Sequence, residues 1–135
     1  MKKFTARLAE NTDGDRVQEL VDTNGTGYPG VQWDNIKPWW AVVLDGEEII
    51  GCAQVVASKP IGHVEFLNLD DSLSQMQRAY AFKVLISFAT LMLHGSNVYI
   101  ARSSIPHGMK QWKKVVKKRY GVHQFDGGIF DMRVH

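Results

Sequence analysis

The sequence predicts a mixed α/β (α+β) fold in which a mostly antiparallel central sheet is flanked by helices. Asp45-Gly46 and Asp126-Gly127 each separate two short β-rich runs, a pattern that indicates β-hairpins. Between these hairpins, a long apolar segment with helical spacing connects two further strand-like runs, which is typical of a parallel strand–helix–strand unit. The chain has the length of one ordinary domain and shows no repeat or linker, so we expect a single domain over residues 1–135.

The first half of the chain is expected to form a strand, a helix, a loop and three strands. Lys3–Leu8 alternates apolar and polar residues, and Thr12 or Asp13 is placed to cap the helix that follows. The apolar face of that helix consists of Val17, Leu20 and Val21. An irregular loop rich in Gly, Asn and Pro covers Thr23–Pro38. Strands are then predicted over Trp39–Leu44, Glu48–Ala57 and His63–Leu69, with Gly51 marking a bulge or a close backbone approach.

The second half is expected to begin with the longest helix, from Leu73 to about Leu93, capped by Asp70, Asp71 or Ser72. Its spacing predicts a core face made of Leu73, Met76, Tyr80, Val84, Phe88 and Leu91. A strand over Asn97–Arg102, a helix over His107–Tyr120 and a closing hairpin over Val122–Phe125 and Gly128–Val134 complete the order. We expect His63–Leu69 and Asn97–Arg102 to be parallel neighbours in a sheet of six or seven strands, and Phe88 and Trp112 to be largely buried.

Composition excludes several kinds of protein and site. Apolar residues make up 44% of the chain and charged residues 22%, which is average for a soluble globular protein. The single cysteine, Cys52, excludes an internal disulfide and a multi-cysteine metal site, and no histidine forms an i, i+4 ligand pair with a carboxylate, so we expect no metal. The chain shows neither a signal peptide nor a membrane span, and we expect a cytoplasmic protein without a membrane partner.

Charge is distributed unevenly along the chain. Residues 1–60 carry a net charge of −3 and residues 61–135 a net charge of +5, and six of the bases lie in Lys110–Arg119, which contains no acid. A nucleic-acid-binding domain is usually more basic than a net charge of +2, so we do not expect a nucleic-acid partner. The basic segment is either a phosphate-binding surface or a solvated helix face.

The order of elements resembles that of the GNAT superfamily of acyl-CoA-dependent N-acyltransferases, over nearly the whole chain. Three stretches carry the resemblance: the hairpin WWAVVLDGEEIIGCAQVV, the strand–helix–strand unit from His63 to Arg102, and the end HGMKQWKKVVKKRYGVHQFDGGIFDMRV. More narrowly, the layout is similar to small, divergent GNAT-like proteins encoded by tailed phages, some of which are virion components. This narrower resemblance implies a location in the host cytoplasm or in the virion.

The resemblance implies that the chain binds acetyl-CoA. In GNAT enzymes the strand before the long helix splays from its neighbour and leaves a slot for the pantetheine arm, while amides at the helix N-terminus hold the pyrophosphate. The implied binding residues are Leu67, Asn68 and Leu69 for the pantetheine arm and Ser72, Leu73, Ser74 and Gln75 for the phosphates. Glu65 resembles the general base of some GNAT enzymes in its strand position, and the alternative is a half-buried strand carboxylate without a chemical role.

Two departures from the family pattern bear on this site. The GNAT signature Gln/Arg-x-x-Gly-x-Gly/Ala corresponds here to LDDSLSQMQRAYA, which contains no glycine and places the charges of Asp70 and Asp71 near the phosphates. The tyrosine that protonates the leaving thiolate in many GNAT enzymes lies four residues before a glycine, and the corresponding residue before Gly121 is Lys117. We therefore expect a degenerate pyrophosphate loop and weak binding of acetyl-CoA.

Other patterns in the sequence favour ordinary structural roles. The stretch Gly25–Gly30 satisfies G-x-G-x-x-G but follows a helix rather than a strand, so the dinucleotide-binding interpretation fails in its context. Trp33, Trp39 and Trp40 lie close together in the sequence, and they form either a ligand or protein contact or part of the core.

Two functions remain open at this point. The first is an acyl-CoA-dependent N-acyltransferase whose partner is an amine acceptor, which attacks the thioester directly. The second is a GNAT-fold protein without catalytic activity that binds a protein partner, as a phage virion component or a host-targeting factor. The sequence leaves the oligomeric state open.

Overall fold

A computed structural model describes residues 3–23, 39–58, 60–104, 123–125 and 129–133, with side chains up to residue 102. The helix predicted over His107–Tyr120, including Trp112, and most of the predicted loop after Thr23 lie outside the described residues.

The described residues form seven strands and two α-helices. In chain order these are β1 (Phe4–Leu8), α1 (Gly14–Thr23), β2 (Trp40–Asp45), β3 (Glu48–Ser58), β4 (Ile61–Leu69), α2 (Gln75–His94), β5 (Ile100–Ser104), β6 (His123–Phe125) and β7 (Ile129–Arg133). A short 3₁₀ turn, Asn11–Asp13, leads into α1. The strands are hydrogen-bonded in the order β1-β2-β3-β4-β5-β7-β6. The predicted fold class and number of strands are confirmed.

The predicted parallel pair is present, because Ile61–Val64 of β4 pairs in parallel with Ile100–Ser103 of β5. The β1–β2, β2–β3, β5–β7 and β6–β7 pairs are antiparallel. Gly46 has a φ of +63°, as the hairpin turn between β2 and β3 requires.

The chain divides into two compact units, Met1–Gln54 with Phe66–Phe88, and Val55–Glu65 with Ala89–His135. In the first unit, α1 buries the apolar face expected from the sequence in a cluster with residues of β2 and β3. The members of this cluster are Val17, Leu20, Val21, Trp40, Val42, Leu44, Ile49 and Cys52. In the second unit, β4 lies so close to α2 that a Cβ at Gly62 would meet a Cδ atom of Leu93 at 2.7 Å.

Gly51 confirms the close approach expected from the sequence. The β2–β3 register shifts between Val43 and Leu44, which marks a bulge in β3 beside this glycine. A Cβ at residue 51 would lie 2.6 Å from a methyl carbon of Leu69 and 3.1 Å from the carbonyl oxygen of Asn68. Since Leu69 is fully buried and has little room to move, only glycine fits where β3 passes the end of β4.

The prediction for the core face of α2 was wrong. Met76 and Leu91 are exposed and Phe88 is only half-buried. The buried face consists instead of Ala81, Phe82, Leu85, Ile86, Ala89 and Leu93. These residues recur at spacings of one, three and four, as expected of a stripe that faces a core.

Candidate functional site

The strand β4 contains an irregularity at Phe66, which has a φ of +52°. Before this residue, Gly62 and Val64 are buried at alternate positions, and after it Leu67, Asn68 and Leu69 are all buried. The alternation therefore breaks at Phe66, and a break together with a positive φ is what one extra residue inserted as a β-bulge produces. A bulge re-aims the backbone groups and side chains that follow it.

Two contacts of described side chains meet at this bulge. The ring of Phe66 stacks on the ring of Trp40, with centroids 6.2 Å apart and an interplanar angle of 22°. The side-chain amide of Asn68 donates a hydrogen bond of 2.9 Å to the carbonyl oxygen of Phe66. Trp40 and Asn68 are each only 1% exposed. Neither contact was foreseen from the sequence: the ring stack depends on tertiary packing, and the hydrogen bond joins residues only two apart but depends on the backbone conformation at Phe66.

The strand β4 also has an extension beyond its described ladder with β5. Among the described residues, which reach Ser104 in β5, the last pair joins Val64 to Ser103, and β4 continues to Leu69. The predicted pantetheine residues Leu67, Asn68 and Leu69 lie in this extension, and all three are buried. Their role in binding stays a prediction.

Glu65, the predicted base, lies beside His63 in the second unit. The Nδ1 atom of His63 is 3.9 Å from Oε1 of Glu65, and about a third of each side chain is exposed. The pair is close because residues two apart on a strand share a face. Arg102 of β5 is the Cα partner of His63 in the parallel ladder. The pattern His-x-Glu within a predicted strand is the local signal in the sequence for this pair.

The loop between β4 and α2 begins at Asp70, whose carboxylate accepts hydrogen bonds from two residues. One carboxylate oxygen accepts hydrogen bonds from the amide of Ser72 at 2.8 Å and from its hydroxyl at 2.6 Å, while Nη2 of Arg16 donates to the other oxygen. Arg16 also donates from Nε to the carbonyl oxygen of Ile49 at 3.1 Å, so it connects α1 to β3 and to this loop. The hydrogen bonds from Ser72 and the charge of Arg16 lower the pKa of Asp70 to about 2.

The two aspartates of the loop each have a cationic neighbour, and the expectation that both repel a phosphate stays a prediction. Asp70 forms an ion pair with Arg16. Asp71 is exposed, and its Oδ1 lies 3.6 Å from Nη2 of Arg78. The carboxylate of Asp71 is therefore more exposed to solvent than that of Asp70, and Arg78 lies beside it.

The helix α2 begins two residues later than predicted, and its cap is Ser74 rather than Asp70, Asp71 or Ser72. The hydroxyl of Ser74 accepts a hydrogen bond from the amide of Gln77 at 3.2 Å, and Oε1 of Gln77 accepts one from the amide of Ser74 at 2.8 Å. This reciprocal pair is a capping box. The motif S-x-x-Q at residues 74–77 was the sequence signal for it.

Three of the four amides predicted to hold phosphates donate to acceptors within the chain. The amide of Ser72 donates to the side chain of Asp70, that of Leu73 to the carbonyl oxygen of Asp70 at 3.2 Å, and that of Ser74 to Gln77. The fourth, the amide of Gln75, lies in the first turn of α2, where amides have no partner within the helix.

The hydrogen bonds that Asp70 accepts from Ser72 and its ion pair with Arg16 predict a pH-dependent stability. A lowered carboxyl pKa contributes stability that is present above the unfolded-state value near 4 and is lost as the pH falls towards about 2. We expect Asp70→Asn to lower the free energy of unfolding at pH 7 by about 1–2 kcal/mol and the difference from wild type to vanish near pH 2. Urea unfolding between pH 2 and pH 7 measures this. Asp71→Asn, at the exposed aspartate, is the matched control. If its free energy of unfolding relative to wild type depended on pH as much as that of Asp70→Asn, Asp70 would not be the cause of the pH dependence.

Other potential sites in the described residues carry little chemistry. Burial raises the pKa of the Cys52 thiol to about 12, so this cysteine stays protonated and unreactive at neutral pH. Among the described residues, no group of three histidine, cysteine or acidic side chains is arranged to hold a metal ion. No helix in the described part of the chain is long and apolar enough to cross a membrane.

Several further candidates from the sequence take different roles or lie outside the described residues. Trp40 is a core residue, whereas Trp39 is 56% exposed. Trp33, the stretch Gly25–Gly30 and the basic segment Lys110–Arg119 with Lys117 lie outside the described residues.

Comparison with known proteins gives a likeness in structure only. No protein-family model matches the chain, and a search of curated proteins finds no match. Among solved structures, N-acetylglutamate synthase from Neisseria gonorrhoeae, complexed with coenzyme A and L-arginine, aligns with a TM-score of 0.76 at 12% identity. That alignment covers 100% of this chain and 34% of the synthase chain, so this chain spans about a third of that protein.

Two further structures match over nearly the full length of both chains. An acetyltransferase of the GNAT family from Staphylococcus aureus aligns with a TM-score of 0.71 at 6% identity and covers 98% of this chain and 100% of its own. The PaiA N-acetyltransferase from Thermoplasma acidophilum, in complex with coenzyme A, aligns with a TM-score of 0.68 at 12% identity and covers 97% and 99%. At these identities the likeness establishes the fold.

Proposed function

We propose that this chain, whose fold is that of the GNAT acetyltransferases, is an N-acyltransferase that transfers an acetyl group from acetyl-CoA to an amine. The observation that carries the proposal is the form of β4, which has a positive φ at Phe66 and continues to Leu69, past the last pair with β5 among the described residues. Such a strand suits an extended ligand that carries amide groups, because backbone hydrogen bonds and neighbouring side-chain pockets can hold it along its length. The solved relatives with bound coenzyme A support the same class of ligand.

Glu65 is the residue that we assign to proton transfer. Acetyl-CoA supplies an activated thioester carbonyl, and the acceptor must lose a proton for its nitrogen to attack it. A carboxylate on a strand, a third exposed and with His63 at 3.9 Å, is accessible to an incoming ammonium group. Glu65 takes one proton from the ammonium group, and the amine nitrogen forms the bond to the carbonyl carbon as the carbon–sulfur bond breaks. The second proton that the nitrogen must lose goes to the leaving thiolate, which departs as the CoA thiol.

We expect the phosphates of acetyl-CoA to gain fewer hydrogen bonds from the protein than its pantetheine arm does. Ser72, Leu73 and Ser74 direct their amides to acceptors within the chain, so binding of a diphosphate there requires Gln77 to release the amide of Ser74. That exchange costs hydrogen bonds that are already formed. The pantetheine arm therefore supplies most of the binding free energy, through the amides of Leu67–Leu69.

Calorimetric titration with acetyl-CoA tests the proposal. We expect a dissociation constant on the order of 0.1 mM, near −5 kcal/mol. Because the phosphates gain few hydrogen bonds, acetyl-pantetheine should bind within about tenfold of acetyl-CoA, which is a difference of about 1.4 kcal/mol. Asp71→Asn should change the affinity for acetyl-CoA only slightly, and in the direction of tighter binding, because Arg78 already stands beside that exposed carboxylate.

The result of this titration also separates the two candidate functions. The internally bonded amides of the loop favour a GNAT-fold protein that acts by binding another protein, as a phage virion component or a host-targeting factor. The absence of binding at millimolar acetyl-CoA and of acetyl transfer to any amine would contradict the acyltransferase and leave that alternative.

A further inference from the structure

Phe66 occupies a backbone conformation that its side chain disfavours. A φ of +52° is common for glycine, whereas a bulky residue with a Cβ adopts it rarely because the Cβ crowds the adjacent carbonyl oxygen. Such a conformation persists only where the surrounding structure enforces it, and it concentrates at functional sites. At residue 66 the chain therefore uses an aromatic residue where glycine would be the easier choice.

The surroundings of Phe66 provide this constraint within the first unit. Its ring stacks on Trp40, which is 1% exposed and belongs to the core cluster beneath α1, and Phe66 itself packs against that cluster. On the other side, the carbonyl oxygen of Phe66 accepts the hydrogen bond from the buried amide of Asn68. The core residue Trp40 thus fixes the ring of Phe66, and Asn68 of the same strand fixes its carbonyl group.

We propose that Phe66 and Trp40 are positioning residues, whose ring stack fixes the bulge in β4 and thereby the direction of the amides of Leu67–Leu69. This inference rests on the proposed function, since those amides are the ones assigned to the pantetheine arm. Without the stack, a residue with a Cβ at position 66 relaxes to ordinary extended backbone and the bulge is lost. The pairing of β4 then shifts by one residue, and a shift of one turns the amides and side chains that follow towards the opposite side.

Two substitutions at one position separate the ring from the backbone conformation. Phe66→Ala removes the ring and keeps the Cβ, so it favours loss of the bulge. Phe66→Gly also removes the ring but adopts a positive φ about tenfold or more readily than alanine, so it retains the bulge with the help of Asn68. Phe4→Ala is the control for loss of an aromatic ring elsewhere, because Phe4 is buried in β1, which two strands separate from β4, and its ring centroid lies 5.1 Å from that of Tyr80.

The experiment combines NMR of the full chain with titration of acetyl-CoA. We expect the amide and Cα chemical shifts of residues 66–69 to be displaced in Phe66→Ala, while the amide shifts of residues 67–69 in Phe66→Gly and in Phe4→Ala stay close to those of wild type. The affinity for acetyl-CoA should fall about tenfold or more in Phe66→Ala and stay within about threefold of wild type in the other two variants.

The NMR result tests the role of the ring stack whether or not the protein binds acetyl-CoA. If wild type fails to bind acetyl-CoA, the proposed function fails, while the shifts of residues 66–69 still show whether the ring fixes the bulge. Wild-type amide shifts for residues 67–69 in Phe66→Ala would overturn the inference, as would equal displacement in the alanine and glycine variants.

Discussion

Replacing Leu85 by alanine is expected to lower the free energy of unfolding by about 2–5 kcal/mol. Leu85 is completely buried in the middle of the buried face of α2, so truncation removes apolar contacts and leaves a cavity that the packed neighbours fill only in part. Guanidinium chloride unfolding followed by circular dichroism measures the change, which should appear in the transition midpoint with an unchanged slope.

Leu91→Ala provides the matched control on the same helix. Leu91 is 69% exposed, so its truncation should change the free energy of unfolding by less than about 0.5 kcal/mol. Phe88, half-buried, should give an intermediate value when changed to alanine. A larger loss for Leu91→Ala than for Leu85→Ala would show that the face predicted from the sequence, rather than the face seen in the structure, packs on the core.

The error about this face has a physical cause. Between Ala79 and Leu93 the sequence of α2 is apolar around most of the helix, so several stripes with a spacing of three and four are available. The predicted stripe through Val84, Phe88 and Leu91 and the observed stripe through Leu85 and Ala89 differ by a rotation of about one residue. Periodicity selects a face only when the opposite face is polar, and here tertiary packing made the choice.

Elements with strong local chemistry were predictable from the sequence. The turn at Asp45-Gly46 requires a positive φ, and the observed φ of Gly46 follows from that pair alone. Gly51 was recognisable as a close approach because a glycine inside an apolar strand usually marks a bulge or a neighbouring backbone at short distance. The parallel pair of β4 and β5 was predictable from the long helical segment that connects the two strands.

The form of the candidate site was less predictable. A bulge at Phe66 leaves no local signal, because an aromatic residue at positive φ contradicts local preference and is held there by Trp40, 26 positions earlier in the sequence. The pairing of Asp70 with Arg16 likewise joins residues 54 positions apart. By contrast, the capping box of Ser74 and Gln77 is local, and its motif was present in the sequence.

These contacts change how the loop before α2 is understood. From the sequence, Asp70 was a negative charge without a partner at the place of the phosphates. In the structure, the same carboxylate receives Arg16 and Ser72 and holds the loop in one conformation. The loop is thus held by its own hydrogen bonds, although it contains none of the glycines of the GNAT signature. The proton transfer proposed above is assigned to Glu65 on β4 and stays a prediction.

Changing Glu65 to glutamine is expected to lower kcat about 100-fold or more while leaving the KM for acetyl-CoA nearly unchanged. Glutamine has the size of glutamate but cannot accept a proton, so the variant tests proton transfer without removing the side chain. Release of the CoA thiol during acetyl transfer to polyamines, free amino acids and lysine peptides measures the rate. Because only an ionised base accepts a proton, the wild-type rate should fall at acidic pH, and this limb of the profile should be absent in Glu65→Gln.

Two control variants test whether the loss of rate is specific to Glu65. Glu48→Gln removes an exposed carboxylate at the start of β3, and it should leave both kcat and the pH profile unchanged. His63→Gln keeps Glu65 in place and removes the neighbour at 3.9 Å, so it should lower the rate far less than Glu65→Gln does. If Glu65→Gln retained the wild-type rate, the base would lie elsewhere and Glu65 would be a strand carboxylate without a chemical role. Loss of rate in Glu65→Gln alone, with unfolding midpoints equal among the three variants, assigns the proton transfer to this residue.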